Sequence, residues 1–193
     1  MRHNILRTFV VYVEDRPGVL NRAASLFRRR AFNIESLNVG QTHLPGVSRM
    51  TVVVEADEDT ARRIEANLYK LVNVLEVQEI THQARIEREL ALIKVKATPE
   101  QRQALSHVAS VFRATVVDMS PSTMVFEITA SPDRIAALVG VLEEYGIEEM
   151  VQTGSVAMAR GASVLLSQEA TARAPVAVAL RPTSLRTETP GGV

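Results

Sequence analysis

The sequence predicts an α+β protein built from two βαββαβ modules and a tail, and three observations carry that reading. Short runs rich in β-branched residues alternate with amphipathic stretches of three- and four-residue spacing; this order occurs twice; and the periodicity stops after residue 160. Residues 5–13 (ILRTFVVYV) have strand length and composition, and Pro17-Gly18 break the run. From Val19, the residues Leu20, Ala23, Ala24, Phe27 and Ala31 mark one face of a helix whose first turn tolerates Pro17. Asn33–Thr42 and Val47–Glu55 read as a hairpin around Leu44-Pro45-Gly46. Asp57–Asp59 open a second helix with Ala61, Ile64, Leu68 and Leu71 inward, and Asn73–Thr81 supply a fourth strand.

The second module repeats the order. Glu89–Ala97 is a strand; Thr98-Pro99-Glu100-Gln101 has the residues of a capping box before a helix with Leu105, Val108, Ala109 and Phe112 on one face. Ala114–Asp118 and Met124–Thr129 form a hairpin through Ser120-Pro121-Ser122. Ser131-Pro132 start a helix with Ile135, Leu138, Val139 and Leu142 inward that Gly146 ends, and Ile147–Ala159 is the last strand. The expected boundaries are residues 1–81, residues 82–160 and a low-complexity tail, 161–193, without aromatic residues or a period.

Composition narrows the function. Lys plus Arg number 22 and Asp plus Glu 22, so the formal net charge is zero, whereas a dedicated nucleic-acid binder carries a basic surplus. Without cysteine there is no disulfide, thiolate metal site or cysteine nucleophile. The apolar run after Arg7 ends at Glu14, too short for a signal-peptide core, and no apolar run approaches the roughly 18 residues that span a bilayer; a cytoplasmic location, with no membrane partner, is expected.

A βαββαβ unit of this split, ferredoxin-like kind puts both helices on one sheet face and leaves the other open. Here the strands are apolar on both parities: Val11 and Val13 against Val10 and Tyr12, Met50, Val52 and Val54 against Thr51 and Val53. The second face therefore needs a cover: the sister module, another subunit or nucleic acid. An RNA-binding module needs stacking aromatics on its central strands, but SRMTVVVEA has none, and Phe9 and Tyr12 have opposite parity. The helix arginines Arg22, Arg28, Arg29 and Arg30 are most simply a solvated face. For catalysis, His3, His43, His82 and His107 stand singly without metal-ligand spacing, no phosphate-cradling or nucleophile motif occurs, and Thr153-Gly154-Ser155 carries no nameable mechanism. No catalytic residue and no metal site is expected.

The best binding signal is the first strand-to-helix turn, Glu14-Asp15-Arg16-Pro17-Gly18-Val19-Leu20. Gly18 permits close backbone approach, the free N–H groups of the helix start accept a carboxylate, and Asp15 suits an ammonium, as an α-amino acid requires. Spacing alone favours a plain tight turn with Asp15 as a local cap over a binding site.

The segments EDRPGVLNRAASLFRRRAFNIESLNVG (14–40), SRMTVVVEAD (48–57), KLVNVLEV (70–77) and ERELALIKVKA (87–97) resemble the small, regulatory subunit of acetolactate synthase, also called acetohydroxyacid synthase. D-R-P-G-V-L alone points only to the broader ACT class of amino-acid-sensing domains, whereas N-I-E-S-L, S-R-M-T and E-R-E-L-A-L-I-K in this order are more specific. The resemblance implies an N-terminal ACT domain, a C-terminal ACT-like domain and a chain that is not an enzyme. It implies a homodimer through the ACT domains and a separate catalytic large subunit, the holder of thiamine diphosphate, FAD and Mg²⁺, with no cofactor on this chain. That partner makes acetolactate at the head of branched-chain amino-acid synthesis; the small subunit activates it and confers feedback inhibition by valine. Carried over by motif, the effector contacts are Asp15, Gly18, Val19 and Leu20 from one domain and Asn33 and Ile34 from the other. Some family members have Asn where this chain has Asp15, whose carboxylate attracts the effector's ammonium but repels its carboxylate. The rival expectations are a sensor regulating a different enzyme and, weaker, a ferredoxin-like RNA binder.

Overall fold

The computed structural model describes residues 4–174. In the first module, β1 (Ile5–Glu14), α1 (Val19–Arg29), β2 (Ile34–Gln41), β3 (Val47–Ala56), α2 (Glu58–Leu68) and β4 (Val74–Glu79) follow the expected order. All strand pairs are antiparallel in the order β2-β3-β1-β4, the split βαββαβ topology. Odd-numbered Phe9, Val11 and Val13 of β1 and even-numbered Met50, Val52 and Val54 of β3 face the helices, where they enclose Ala23, Leu26, Phe27, Ile64 and Leu68. The Asp57 side chain caps α2 by accepting from the Thr60 N–H at 2.8 Å, as the acidic helix start predicts.

The second module is β5 (Arg85–Lys96), α3 (Arg102–Phe112), β6 (Thr115–Met119), β7 (Thr123–Ala130), α4 (Pro132–Leu142) and β8 (Ile147–Gln152), in the strand order β6-β7-β5-β8. Its core joins Ile93, Val95, Met124, Phe126 and Ile128 to Leu105, Ile135, Leu138 and Leu142. The α3 start differs from expectation. The Gln101 side chain does accept from the Thr98 N–H at 3.0 Å, but Pro99–Gln101 form a turn and the α-helix begins at Arg102.

Two further differences decide how the modules join. The single last strand expected over 147–159 is broken at Thr153–Ser155. Beyond the break, β9 (Val156–Ala159) pairs with Arg85–Arg88, the first third of β5, while Glu89–Lys96 pair with β7. The polar Thr-Gly-Ser step lets the chain change course: the Thr153 N–H and hydroxyl bond the Leu90 backbone, and Ser155 turns inward to Glu89 and Ser36.

The tail expected from residue 161 also needs correction over residues 161–174. There Leu165 and Ala170 are buried, Ser167 caps the short helix α5 (Gln168–Arg173), and Gln78 Nε2 donates to Leu165 O at 2.7 Å. Apolar Leu165, Leu166 and Ala170 land on the second face of the first sheet, an interaction that low periodicity conceals. Residues 175–193 of that expected tail, like residues 1–3 of the first domain, lie outside the described residues. The cover that the doubly apolar strands require is thus supplied by the chain itself: Val10 and Ile80 pack with Ala157, Ala159 and Leu165, and Val47 and Leu75 with Ala170.

Candidate functional site

The turn between β1 and α1 is held from behind by a polar network. Glu14 N–H donates to Asn73 O at 2.9 Å, Asn73 Nδ2 donates to Glu14 Oε2 at 2.7 Å, and Arg22 Nη1 donates to Asn73 Oδ1. Arg16 Nε pairs with Glu14 at 3.1 Å, and Asp15 N–H donates to Gly46 O at 2.8 Å. Asn73 is buried, so its amide is an internal post on which the turn is mounted. Sequence reasoning missed it; Arg22 is exposed, as expected of a solvated face, but its guanidinium reaches back to Asn73, and the only signal was a polar residue heading β4.

This network occupies Glu14, Arg16 and Arg22 but leaves Asp15 exposed, and its carboxylate has no hydrogen-bond or ion-pair partner among the described residues. Gly18 is the N-cap of α1 at φ +83°, a left-handed conformation that glycine adopts freely, and nothing lies within 4 Å of where a Cβ would stand. No side chain caps α1 and no acidic residue lies in its first turn, in contrast to α2 with Asp57, Glu58 and Asp59. Val19 N–H reaches back to Arg16 O at 3.3 Å; the remaining first-turn donors lack intrahelical acceptors. Val19 is anchored in the core and Leu20 is exposed beside the turn.

Asn33 and Ile34 are elsewhere. Asn33 is exposed, with its amide on Glu35, and Ile34 is half-buried at the start of β2. By register Ile34 lies opposite Val54, which pairs with Arg7, whereas the turn follows Glu14 opposite Val47. From Arg7 to Glu14 β1 runs about 23 Å at roughly 3.3 Å per residue. One chain therefore does not bring the two groups of residues together. Among the described residues β2, which follows Asn33 and begins at Ile34, is an edge strand whose ladder partner is β3, with Ser36 also accepting from the Ser155 N–H.

The second sheet face of the first module, where stacked bases would lie, is filled by Ala157, Ala159 and Leu165, and the opposite parity of β5 and β7 in the second offers Leu90, Leu92, Val125 and Glu127 but no aromatic ring. Among the described residues no helix is long and apolar enough to cross a membrane.

Comparison with known proteins bears directly on this arrangement. Residues 9–76 match the model of the AHAS small subunit-like ACT domain, and residues 88–161 match the small subunit of acetolactate synthase. The probable acetolactate synthase small subunit of Archaeoglobus fulgidus is 46% identical over 154 residues, 80% of this chain and 96% of the relative. The chain belongs to the acetolactate synthase small-subunit family. The small subunit of Mycolicibacterium smegmatis is likewise 46% identical, over 80% of this chain and 91% of its own length. The crystal structure of the Thermotoga maritima acetolactate synthase small subunit superposes with a TM-score of 0.76 at 36% identity, covering 82% of this chain and 99% of that one. These matches bear out the resemblance and the fold. Leu165 and α5, packed on the ACT sheet, lie past residue 161, where the small-subunit model stops.

Proposed function

We propose that this chain is the regulatory subunit of an acetolactate synthase, that it activates a separate catalytic large subunit, and that valine binding between two copies of its ACT domain feeds back to inhibit that partner. The observation that carries the reading is the uncapped start of α1 at Gly18, open to a ligand, with unpaired Asp15 beside it. A carboxylate on the first-turn amides gains about 0.3 to 1 kcal/mol from the helix dipole, and Asp15 is placed for the ammonium. Asn33 and Ile34 lie too far away on the same chain to complete the pocket, so a second copy, its β2 edge beside this one, supplies them in a homodimer.

Inhibition then follows from linkage. Valine shifts the enzyme only if it binds the inhibited arrangement of the dimer more tightly than the activating one. The thiamine diphosphate, FAD and Mg²⁺ of the reaction are assigned to the large subunit, leaving this chain with binding and transmission.

The test is a pyruvate assay of the large subunit with and without this chain, titrated with valine, leucine and isoleucine. Gly18→Asp should abolish valine inhibition while preserving activation, because it sets a like charge at the carboxylate position. Gly18→Asn shares the left-handed backbone cost of about 1 to 2 kcal/mol without the charge, and should retain part of the inhibition. Undiminished valine sensitivity in Gly18→Asp refutes the site; acetolactate formed by this chain alone refutes the regulatory role.

A further inference from the structure

We infer that the chain has a second small-molecule site, separate from the α1 turn, that takes an apolar carboxylate. A cavity of about 390 Å³ lies between the second face of the ACT sheet, the β2–β3 loop, β9 and the segment after residue 161. Its walls are largely apolar, with Leu44, Met158, Val164 and Leu166 around the guanidinium of Arg49. The volume falls in the range of small-ligand pockets, about 300 to 1,000 Å³.

Arg49 makes this more than a packing gap. Its Nη2 donates to Ala157 O and its guanidinium lies 5.6 Å from the centre of the Tyr12 ring. No carboxylate pairs with it among the described residues, its Nη1 has no acceptor there, and its Nε is a buried donor without a partner. Buried Arg7 and half-buried Arg85 are answered by carboxylates, Arg7 by Glu58 and Glu79 and Arg85 by Glu87, whereas Arg102, whose Nε is likewise buried without a partner, is held by the Ser120 and Pro121 carbonyls and lines no part of this cavity. A guanidinium held at an apolar cavity without a counter-charge is costly unless an anion completes it. Arg49 is also the cation best suited to a planar carboxylate, because its donors form a fork. The ligand chemistry follows from both halves of the site: a carboxylate for Arg49 and a hydrocarbon body for Leu44, Met158, Val164 and Leu166. An α-amino acid is disfavoured, since no acidic side chain lines the cavity to receive its ammonium.

The experiment titrates the full chain with hexanoate and, as the uncharged control of the same length, hexanamide, reading calorimetry and the Met158 methyl resonance. Hexanoate should shift Met158 and bind about tenfold or more tightly than hexanamide, as expected for a hydrogen bond to a charged group. Arg49→Gln should erase that preference and Arg49→Lys should keep part of it. Because Arg49 also braces Ala157, a second variant is needed if Arg49→Gln unfolds: Val164→Trp, at an exposed rim position, should weaken hexanoate binding with Arg49 in place. Gly18→Asp should leave hexanoate binding unchanged, which separates this site from the valine site. Equal affinity for hexanoate and hexanamide, no Met158 shift, or full hexanoate affinity in both Arg49→Gln and Val164→Trp overturns the inference.

Discussion

At the scale of single residues, two glutamates of α2 respond to acid in opposite senses. Glu65 is half-buried, and burial first, then the charge of Glu79, raises its pKa above the usual 4.5. Its contribution to stability is therefore present below pH 4.5 and is lost as pH rises through the folded value. Glu58 is held below 4.5 by its hydrogen bond to Arg7, so its contribution is present above 4.5 and disappears as pH falls through the folded value. Glu65→Gln should accordingly raise the Tm at pH 7 and leave it unchanged at pH 3.5, with thermal unfolding at the two pH values as the check. Arg7 is buried and answers both Glu58 and Glu79 at 2.9 and 2.8 Å; Arg7→Ala should cost about 2 kcal/mol, read from urea midpoints. The sequence offered Arg7 only as a charge before an apolar run. Its pairing with α2 and β4 spans 51 and 72 positions (58 − 7 and 79 − 7), and no local pattern encodes contacts of that range.

Elements were legible where one residue type does one job. Gly18 and Gly146, at φ +83° and +88°, sit where the chain must leave the ordinary backbone regions, and the sequence marks both. Apolar residues on both parities of β1 and β3 told correctly that both faces are buried. The identity of the second cover was not legible: Leu165 and Ala170 belong to a stretch of small residues with no repeat, and become apolar contacts only when β9 delivers them to the ACT sheet. The residues of the candidate site divide in the same way. Gly18 and Asp15 could be read from a turn motif, whereas the supporting Asn73 could not, because its role exists only once β4 lies beside β1. If the segment after 161 is a structural cover, Leu165→Ala should destabilise the protein by about 2 to 3 kcal/mol, and exchange of the Ile80 and Val10 amides should quicken; unchanged protection at those amides would show that the segment is not a cover.

Across the whole molecule, the two modules meet at Thr153-Gly154-Ser155, the triplet to which no function could be given from sequence. Ser155 N–H donates to Ser36 Oγ at 2.8 Å, Ser155 Oγ donates to buried Glu89, and a Cβ on Gly154 would stand 2.6 Å from Leu37 O and 2.8 Å from Leu37 C. Those neighbours are backbone and do not yield, so Gly154→Ala should push β2 and the β8–β9 connection apart at about 1 to 3 kcal/mol. Calorimetry should then show two transitions for the variant where the unsubstituted protein shows one. One strand crosses the junction of the modules: β5 leaves β9 on the ACT side and continues as a central strand of the second sheet. At roughly 3.3 Å per residue its 12 residues make a rod about 40 Å long. A tilt of about 5° at its Arg85 end therefore moves Lys96 by about 3 Å at that same rise. β5 is in this sense a lever, by which a small tilt on the ACT side becomes a displacement at the far end of the second sheet.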